Sequence, residues 1–162
     1  MKSYPFAIVF SLTAVVVGLV LQLSIGSISK SWFSFPYNVI GGFAFVVLTT
    51  AVYFVFRKTN FIVRFSSAPF AIVTVVTLGV LTIGLGSINV NPQEVAHSFV
   101  GKLGLDDLTK TWYFGIIFVL ALMNLWFSIL KRSMVYQRKN IPFLLNHFGL
   151  WLTMFAGVLG QG

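Results

Sequence analysis

Five long stretches of the chain contain no Asp, Glu, Lys or Arg, and they limit the possible folds more than any other feature. They cover approximately residues 5–25, 37–56, 69–88, 112–130 and 141–160. About 20 apolar residues cross a hydrocarbon core about 30 Å thick, so each stretch is long enough to span a bilayer. Charged residues make up only 9% of the chain, against about 25% in a soluble domain, so lipid must solvate much of the surface.

Helices are the expected structure of these stretches. A backbone group without a partner costs several kcal/mol in lipid, and an α-helix pairs its own groups internally. A transmembrane strand would alternate lipid-facing and lumen-facing residues, and the run FAFVVLTTAVYFVF does not alternate. We interpret the first stretch as a retained span, because it is too long for a signal peptide and no clean cleavage site follows it. Residues 1–162 are therefore predicted to form a single all-α polytopic membrane helix bundle of about five transmembrane helices.

The basic residues between the stretches predict the orientation in the membrane. With the N-terminus in the cytoplasm, eight Lys and Arg fall on the cytoplasmic side: Lys2, Arg57, Lys58, Arg64, Lys131, Arg132, Arg138 and Lys139. The outer side then holds three basic residues and all three acids: Lys30, Lys102, Lys110, Glu94, Asp106 and Asp107. Cytoplasmic loops carry such an excess of Lys and Arg. We expect a cytoplasmic N-terminus and an outer C-terminus in a bacterial inner membrane.

Composition excludes several classes of function. The net charge of +8 does not indicate binding to nucleic acid, because the basic residues sit in short runs between apolar stretches. The absence of Cys excludes disulfides and thiolate metal sites. The sequence contains no recognisable nucleophile–base pair, glycine-rich phosphate loop or cluster of metal ligands. It therefore predicts no self-contained enzyme site, and we assign no catalytic residue.

His147 is the one ionisable residue within the five stretches. Lipid penalises such a side chain, which makes it a candidate functional residue. Asn140 is suited to cap the fifth helix and Pro142 to lie in its first turn. At 1.5 Å per residue, His147 is then expected roughly 8–10 Å into the helix. Helical spacing predicts that Trp151 lies on the same face.

Two interpretations of His147 are open at this point. A neutral imidazole is a good axial ligand for haem iron, and aromatic neighbours suit the face of a porphyrin. Alternatively, His147 forms a hydrogen bond across helices, for instance to Asn124 in the fourth stretch. The second histidine, His97, lies in a connection and is expected on a solvated surface. Asn38 is suited to cap the second helix.

Residues 131–160, KRSMVYQRKNIPFLLNHFGLWLTMFAGVLG, resemble the ResB/CcsB family of cytochrome c biogenesis proteins. The segment is most similar to the N-terminal membrane portion of the fused CcsBA-type proteins of Bacteroidetes. The shared pattern is a span that ends in basic residues, a short basic turn, and a helix that opens with I-P-F-L-L-N-H-x-G-L. The stretches FPYNVI at residues 35–40 and LGLDDLTK at residues 103–110 are similar as well.

This resemblance implies that the chain works with a CcsA-type partner, or a fused half, to deliver haem to the outer face. The assembly attaches haem to apocytochrome c as a holocytochrome c synthase, and the chain alone is expected to have no activity. In the family, a transmembrane His of the CcsB part and one of the CcsA part ligate haem in transit. His147 matches the CcsB position, and His97 matches no family ligand. The resemblance thus makes His147 the predicted haem ligand, with Trp151 and Asn124 as further candidate cofactor-binding residues.

Two other functions compete with this one. Family members continue past the matched helix into a large extracytoplasmic domain, so the resemblance covers only their N-terminal membrane portion. Small residues let helices approach closely, and the face formed by Gly149, Thr153 and Ala156 favours a non-catalytic scaffold subunit. Gly79, Gly84 and Gly86 in the third stretch are likewise predicted to be packing residues. A small transporter subunit ranks third, because the spans lack the charged residues of a transport pathway.

Overall fold

The computed structural model describes residues 3–86, 99–105, 107–135 and 137–160. Within these ranges the chain forms α1 (Ser3–Ile25), α2 (Tyr37–Phe56), α3 (Asn60–Phe65), α4 (Ala68–Gly86), α5 (Phe99–Lys102), α6 (Trp112–Ser133) and α7 (Ile141–Leu159). Short 3-10 helices at Lys30–Phe33, Leu108–Lys110 and Arg138–Asn140 lie in the connections. No strand occurs in the described ranges, and the all-α prediction is confirmed.

Within the described part of the chain, four helical segments are long and apolar enough to cross a membrane: Tyr4–Ile25, Tyr37–Phe56, Trp112–Ser133 and Arg138–Leu159. The apolar segment of α4, Ala68–Gly84, is shorter than these four. The second predicted stretch agrees with α2 residue for residue, and α6 continues to Ser133, past its predicted end at residue 130. The positions of the apolar helices could therefore be predicted from the sequence.

The chain leaves α1 through a glycine in the left-handed region. Gly26 has φ of 77°, and its amide donates to the Gln22 carbonyl oxygen at 3.1 Å. Such a residue satisfies a carbonyl that the last helical turn leaves unpaired. In the connection from α2 to α4, the Thr59 hydroxyl oxygen accepts from the Ile62 amide at 3.4 Å and caps α3. The short α3 reverses the chain between the two longer helices.

α6 is the central helix of the bundle. It packs against α1, α4 and α7, while α1 also packs against α4, and α2 packs mainly against α7. One cluster of buried residues joins α1, α2, α3, α4 and α6: Ala7, Tyr53, Ile62, Phe65, Phe70 and Phe127. A second cluster joins α6 to α7: Leu122, Ile129 and Trp151. In lipid, contacts of this kind hold helices together by close packing, because lipid tails are as apolar as the side chains.

Large apolar side chains cover the outside of the bundle. Phe43 and Ile83 are each 73% exposed, and Val55 is 72% exposed. Water penalises a continuous apolar surface, whereas lipid tails solvate it. The exposed surface therefore agrees with the four candidate spans and indicates a membrane protein.

Basic residues collect at one end of the bundle, which we call the cationic end. The start of α1 meets the α2–α4 connection there, because the Arg64 guanidinium lies 5.8 Å from the Phe6 ring centroid. The α6–α7 connection joins them, since Arg57 Nη1 donates to Met134 Sδ at 3.4 Å. Seven cations belong to these connections: Arg57, Lys58, Arg64, Lys131, Arg132, Arg138 and Lys139. The opposite end holds an ion pair between Asp107 and Lys110, with Nζ and Oδ2 2.6 Å apart.

α1 and α6 approach each other closely at Gly18. A Cβ on Gly18 would lie 2.6 Å from the Tyr113 backbone nitrogen, so only glycine lets the two helices meet here. The predicted packing role of Gly79 and Gly84 is wrong within the described chain, because a Cβ on either would meet nothing within 4 Å. Both glycines lie on a part of α4 that no described helix covers.

We expect Gly18→Ala to destabilise the bundle by about 1–3 kcal/mol, because the added methyl group overpacks against backbone that cannot move cheaply. Gly79→Ala is the matched control, and the better helix propensity of Ala should leave it neutral or stabilised by up to about 1 kcal/mol. Unfolding of the detergent-purified chain in SDS, followed by circular dichroism, measures both. Equal stability of the two variants would contradict the close packing of α1 on α6.

Candidate functional site: a histidine-lined cavity at the cationic end

A cavity of about 710 Å³ lies at the cationic end between α4, α6 and α7. Small-molecule and cofactor sites have volumes of this order. Its lining includes residues from the α3–α4 connection, the start of α4, the second half of α6 and the first turns of α7: Ser66, Ala71, Asn124, Ser128, Phe143 and His147. The structure thus brings two of the three predicted cofactor-binding residues, His147 and Asn124, to the same cavity.

His147 forms a hydrogen bond within its own helix. Its Nδ1 lies 2.9 Å from the Phe143 carbonyl oxygen one turn earlier, and the two rings stack with centroids 3.6 Å apart. A carbonyl oxygen only accepts, so Nδ1 carries the proton. The neutral imidazole is then the Nδ1–H tautomer, which has its lone pair on Nε2. Backbone carbonyls orient many metal-binding histidines in this way.

Asn124 is buried, and its Nδ2 donates to the carbonyl oxygen of Phe65. Phe65 is the last residue of α3, where a carbonyl lacks a partner within the helix. The amide therefore ties α6 to α3 and not to α7. The interpretation that His147 bonds to Asn124 is wrong, although both residues line the cavity.

Asn140 holds the turn from α6 to α7. Its Oδ1 accepts from Arg132 Nη1 at 3.0 Å, and its Nδ2 donates to the Val135 carbonyl oxygen at 2.9 Å. Asn140 occupies the N-cap position of α7 but makes no capping bond with its side chain, so the predicted cap is wrong. The side-chain amide instead donates to the Val135 carbonyl oxygen, because this carbonyl has no partner within a helix. Pro142 lies in the first turn of α7, as predicted.

Three basic residues, Lys131, Arg132 and Lys139, line the cavity together with His147. No acidic residue is among the described residues that line it, so the cavity is electropositive. The Arg132 guanidinium lies 4.8 Å from the Phe143 ring centroid, which is within cation–π range. Sequence reasoning used these cations only to predict orientation and did not connect them with His147. The short turn between α6 and α7 was the available signal, because it keeps residues on either side of it close together.

Trp151 lies in the interface between α6 and α7 and does not line the cavity. It is 4% exposed, and its ring is 4.7 Å from the Trp126 centroid and 4.7 Å from the Phe155 centroid. Its Nε1 is buried without a hydrogen-bond partner among the described residues. The structure therefore gives Trp151 a packing position that fixes α7 against α6.

Gln22 is a buried polar residue that sequence reasoning missed. Its Nε2 donates to Ser27 Oγ at 3.0 Å and to the Lys102 carbonyl oxygen at 3.5 Å, and its Oε1 accepts from the Trp112 amide at 3.3 Å. One amide in α1 thus joins three segments at the end opposite the cationic end. A single amide in an apolar stretch was the available signal, since a buried polar group needs partners.

Other polar residues form hydrogen bonds at the end opposite the cationic end. Asn38 Nδ2 donates to the Leu159 carbonyl oxygen at 2.7 Å and so links α2 to the last turn of α7. Burial raises the pKa of Asp107, but hydrogen bonds from Lys110 and Thr109 outweigh it and hold that pKa below its usual value. His97 lies outside the described residues. Nothing at this end contributes to the cavity that His147 lines.

Comparisons with protein-family models, curated proteins and solved structures find no match to this chain. The fold and the cavity therefore define its class by themselves. The described residues form an all-helical fold in which four helices are long and apolar enough to span a membrane. Its described residues include no group of three or more His, Cys, Asp or Glu that would hold a bare metal ion, so His147 stands alone as a potential ligand.

We expect NMR of the ¹⁵N-histidine-labelled chain to show a proton on Nδ1 of neutral His147, because the Phe143 carbonyl can accept only from an N–H. The spectrum is recorded in detergent at alkaline pH, where imidazole is neutral, and His97→Ala isolates the His147 signals. A neutral imidazole protonated on Nε2 would contradict the hydrogen bond to Phe143.

Proposed function

We propose that the chain is a membrane component of a cytochrome c biogenesis system, in which His147 supplies one axial ligand to haem in transit. The observation that carries the proposal is the hydrogen bond from His147 Nδ1 to the Phe143 carbonyl oxygen, which leaves the lone pair on Nε2. Histidine in this state is a common axial ligand of haem iron. The resemblance of residues 131–160 to the ResB/CcsB family supports the same role.

The proposal includes five crossings of a bacterial inner membrane, with α4 as the third span and the N-terminus in the cytoplasm. α4 has 19 residues, which is about 28 Å at 1.5 Å per residue and close to the thickness of the hydrocarbon core. The concentration of basic residues at one end supports a cytoplasmic position for that end. The cavity with His147 then lies on the side from which the family takes up haem.

The residues around the cavity fit haem as a cargo. Haem carries two propionate groups, and Lys131, Arg132 and Lys139 supply cations suited to carboxylates. The Phe143 ring adds an aromatic surface beside the imidazole. Asn124 and Trp151 contribute indirectly in this proposal, because Asn124 joins α6 to α3 and Trp151 seats α7 against α6.

One histidine supplies one axial ligand, so the proposal requires a partner for the other. Leu145, Leu150 and Leu152 of α7 are 67%, 55% and 48% exposed, so other described helices leave much of the ligand-bearing helix uncovered. A CcsA-type membrane protein, or a fused half, can approach α7 from this side. The assembled pair would attach haem to apocytochrome c, and the chain alone is assigned no reaction.

We expect His147→Ala to lower the haem that copurifies with the chain and its CcsA-type partner by at least about tenfold. Loss of a residue that merely orients a metal ligand already costs about 10–100-fold, and His147 is proposed as the ligand itself. The absorption spectrum of the purified complex measures the haem.

His97→Ala is the matched control and should leave the spectrum unchanged. Copurification of the partner with His147→Ala shows that the complex still assembles, so that loss of haem reports ligation. Unchanged haem content and spectrum in His147→Ala would overturn the role of ligand.

A non-catalytic scaffold subunit is the second candidate function. Gly149, Thr153 and Ala156 of α7 are exposed, and a Cβ on Gly149 would meet nothing within 4 Å. Small residues on an uncovered helix face allow close approach of a partner helix. A pure scaffold needs this face and does not need the imidazole.

The scaffold function predicts that Gly149→Leu abolishes copurification with the partner, while His147→Ala leaves cytochrome c maturation intact. Gly79→Leu is the control, because that glycine is equally free of neighbours within 4 Å but lies on α4. Copurification followed by haem staining of the matured cytochrome separates the two candidates. Normal association of Gly149→Leu would count against the scaffold function.

A further inference from the structure

A second groove, of about 720 Å³, runs between α1 and α6 and shares no residue with the cavity that His147 lines. α1 forms one wall from Pro5 to Val17, and α6 contributes Ile116 and Leu120. Arg64 of α3 lies at the cationic end of the groove, beside Phe6. The groove is therefore a long apolar trough with a guanidinium at one end.

Among the polar side chains that line this groove, the Arg64 guanidinium carries a charge that no described carboxylate neutralises. The Thr13 hydroxyl donates to the Val9 carbonyl oxygen at 2.8 Å within its own helix, so it is already satisfied. Asp107 is the one acidic residue in the described chain, and it is paired with Lys110 at the opposite end. The Arg64 guanidinium thus has no carboxylate among the described residues to pair with.

The length of the groove matches one leaflet of a bilayer. From Pro5 to Val17, α1 rises about 18 Å at 1.5 Å per residue. Half of a hydrocarbon core is about 15 Å thick. The groove therefore extends from the membrane surface, where Arg64 lies, to about the middle of the bilayer.

We propose that this groove binds one acyl chain of an anionic phospholipid, whose phosphate pairs with the Arg64 guanidinium. The apolar walls match the chain, and the fork of donors on Arg matches phosphate oxygens. The chain of a zwitterionic lipid fits between the same apolar walls, but its headgroup has no net charge to offset that of the guanidinium. One basic residue at the membrane surface corresponds to about a fivefold preference for an anionic lipid.

The absence of native Cys allows a direct test, because a single introduced thiol takes a fluorophore at one place. Thr13→Cys places a bimane label in the groove. Val76→Cys places one on α4, at a residue that is 58% exposed and lines neither the groove nor the cavity with His147. The full chain is reconstituted in phosphatidylcholine vesicles with a minor fraction of phosphatidylglycerol that carries brominated chains. Bromine quenches the label only in direct contact.

We expect brominated phosphatidylglycerol to be enriched about fivefold at the label on residue 13 over that on residue 76. Brominated phosphatidylcholine should show no enrichment. In the Arg64→Gln background the enrichment should disappear, while Arg138→Gln, which removes an equal charge from the same end, should leave it intact.

Three results would overturn the proposal. Equal quenching of residue 13 by the two brominated lipids would show a groove without charge preference. An enrichment that survives Arg64→Gln would show that another group binds the phosphate. Protection of residue 13 from both lipids, with residue 76 fully quenched, would show that protein occupies the groove.

Discussion

Lipid offers no hydrogen bonds to the groups that it surrounds, so the buried polar side chains of this bundle depend on partners that the protein supplies. Among the described residues, Ser11 Oγ and Trp151 Nε1 are the exceptions. Gln22 accepts from the first amide of α6, Asn124 donates to the last carbonyl of α3, and the Trp126 indole donates to Thr50 Oγ1 at 3.0 Å. Each of these bonds joins segments that are far apart in sequence. These three bonds therefore help to set how the helices are arranged.

α6 carries much of this network, and the cavity depends on it. It contacts α1 and α4 by packing and α3 through the Asn124 amide, while its contacts with α7 use Trp126 stacked on Trp151. α7 otherwise lies at the periphery, joined to α6 by a turn that Asn140 holds. The cavity is thus assembled from two well-packed helices and one helix that is open to the outside.

The sequence was sufficient to predict where the helices lie, but not which face of each helix packs against its neighbours. A run with no charged residue indicates a span, and the observed bounds of α2 and α1 follow the predicted ones closely. The faces are hidden because apolar residues surround each span, so no periodic pattern distinguishes the packed side from the lipid side. For this reason Gly79 was expected to pack and Gly18 was not singled out, although Gly18 is where α1 and α6 meet.

His147 was easy to find as the only ionisable residue in the spans, but its partner was not. A bond to the carbonyl four residues earlier competes with any bond across helices, and the sequence contains no sign of which one forms.

The bond between His147 and the Phe143 carbonyl links the chemistry of the imidazole to the backbone of α7. In many metal sites a carboxylate holds the ligand histidine, and a single mutation removes it. Here the acceptor belongs to the main chain, so a substitution at Phe143 changes the stacked ring and keeps the acceptor. Unwinding of the first turns of α7 would remove this acceptor from the imidazole. The position of the proton on the imidazole, and of the lone pair opposite it, is therefore a property of the folded helix that arises when the helix forms.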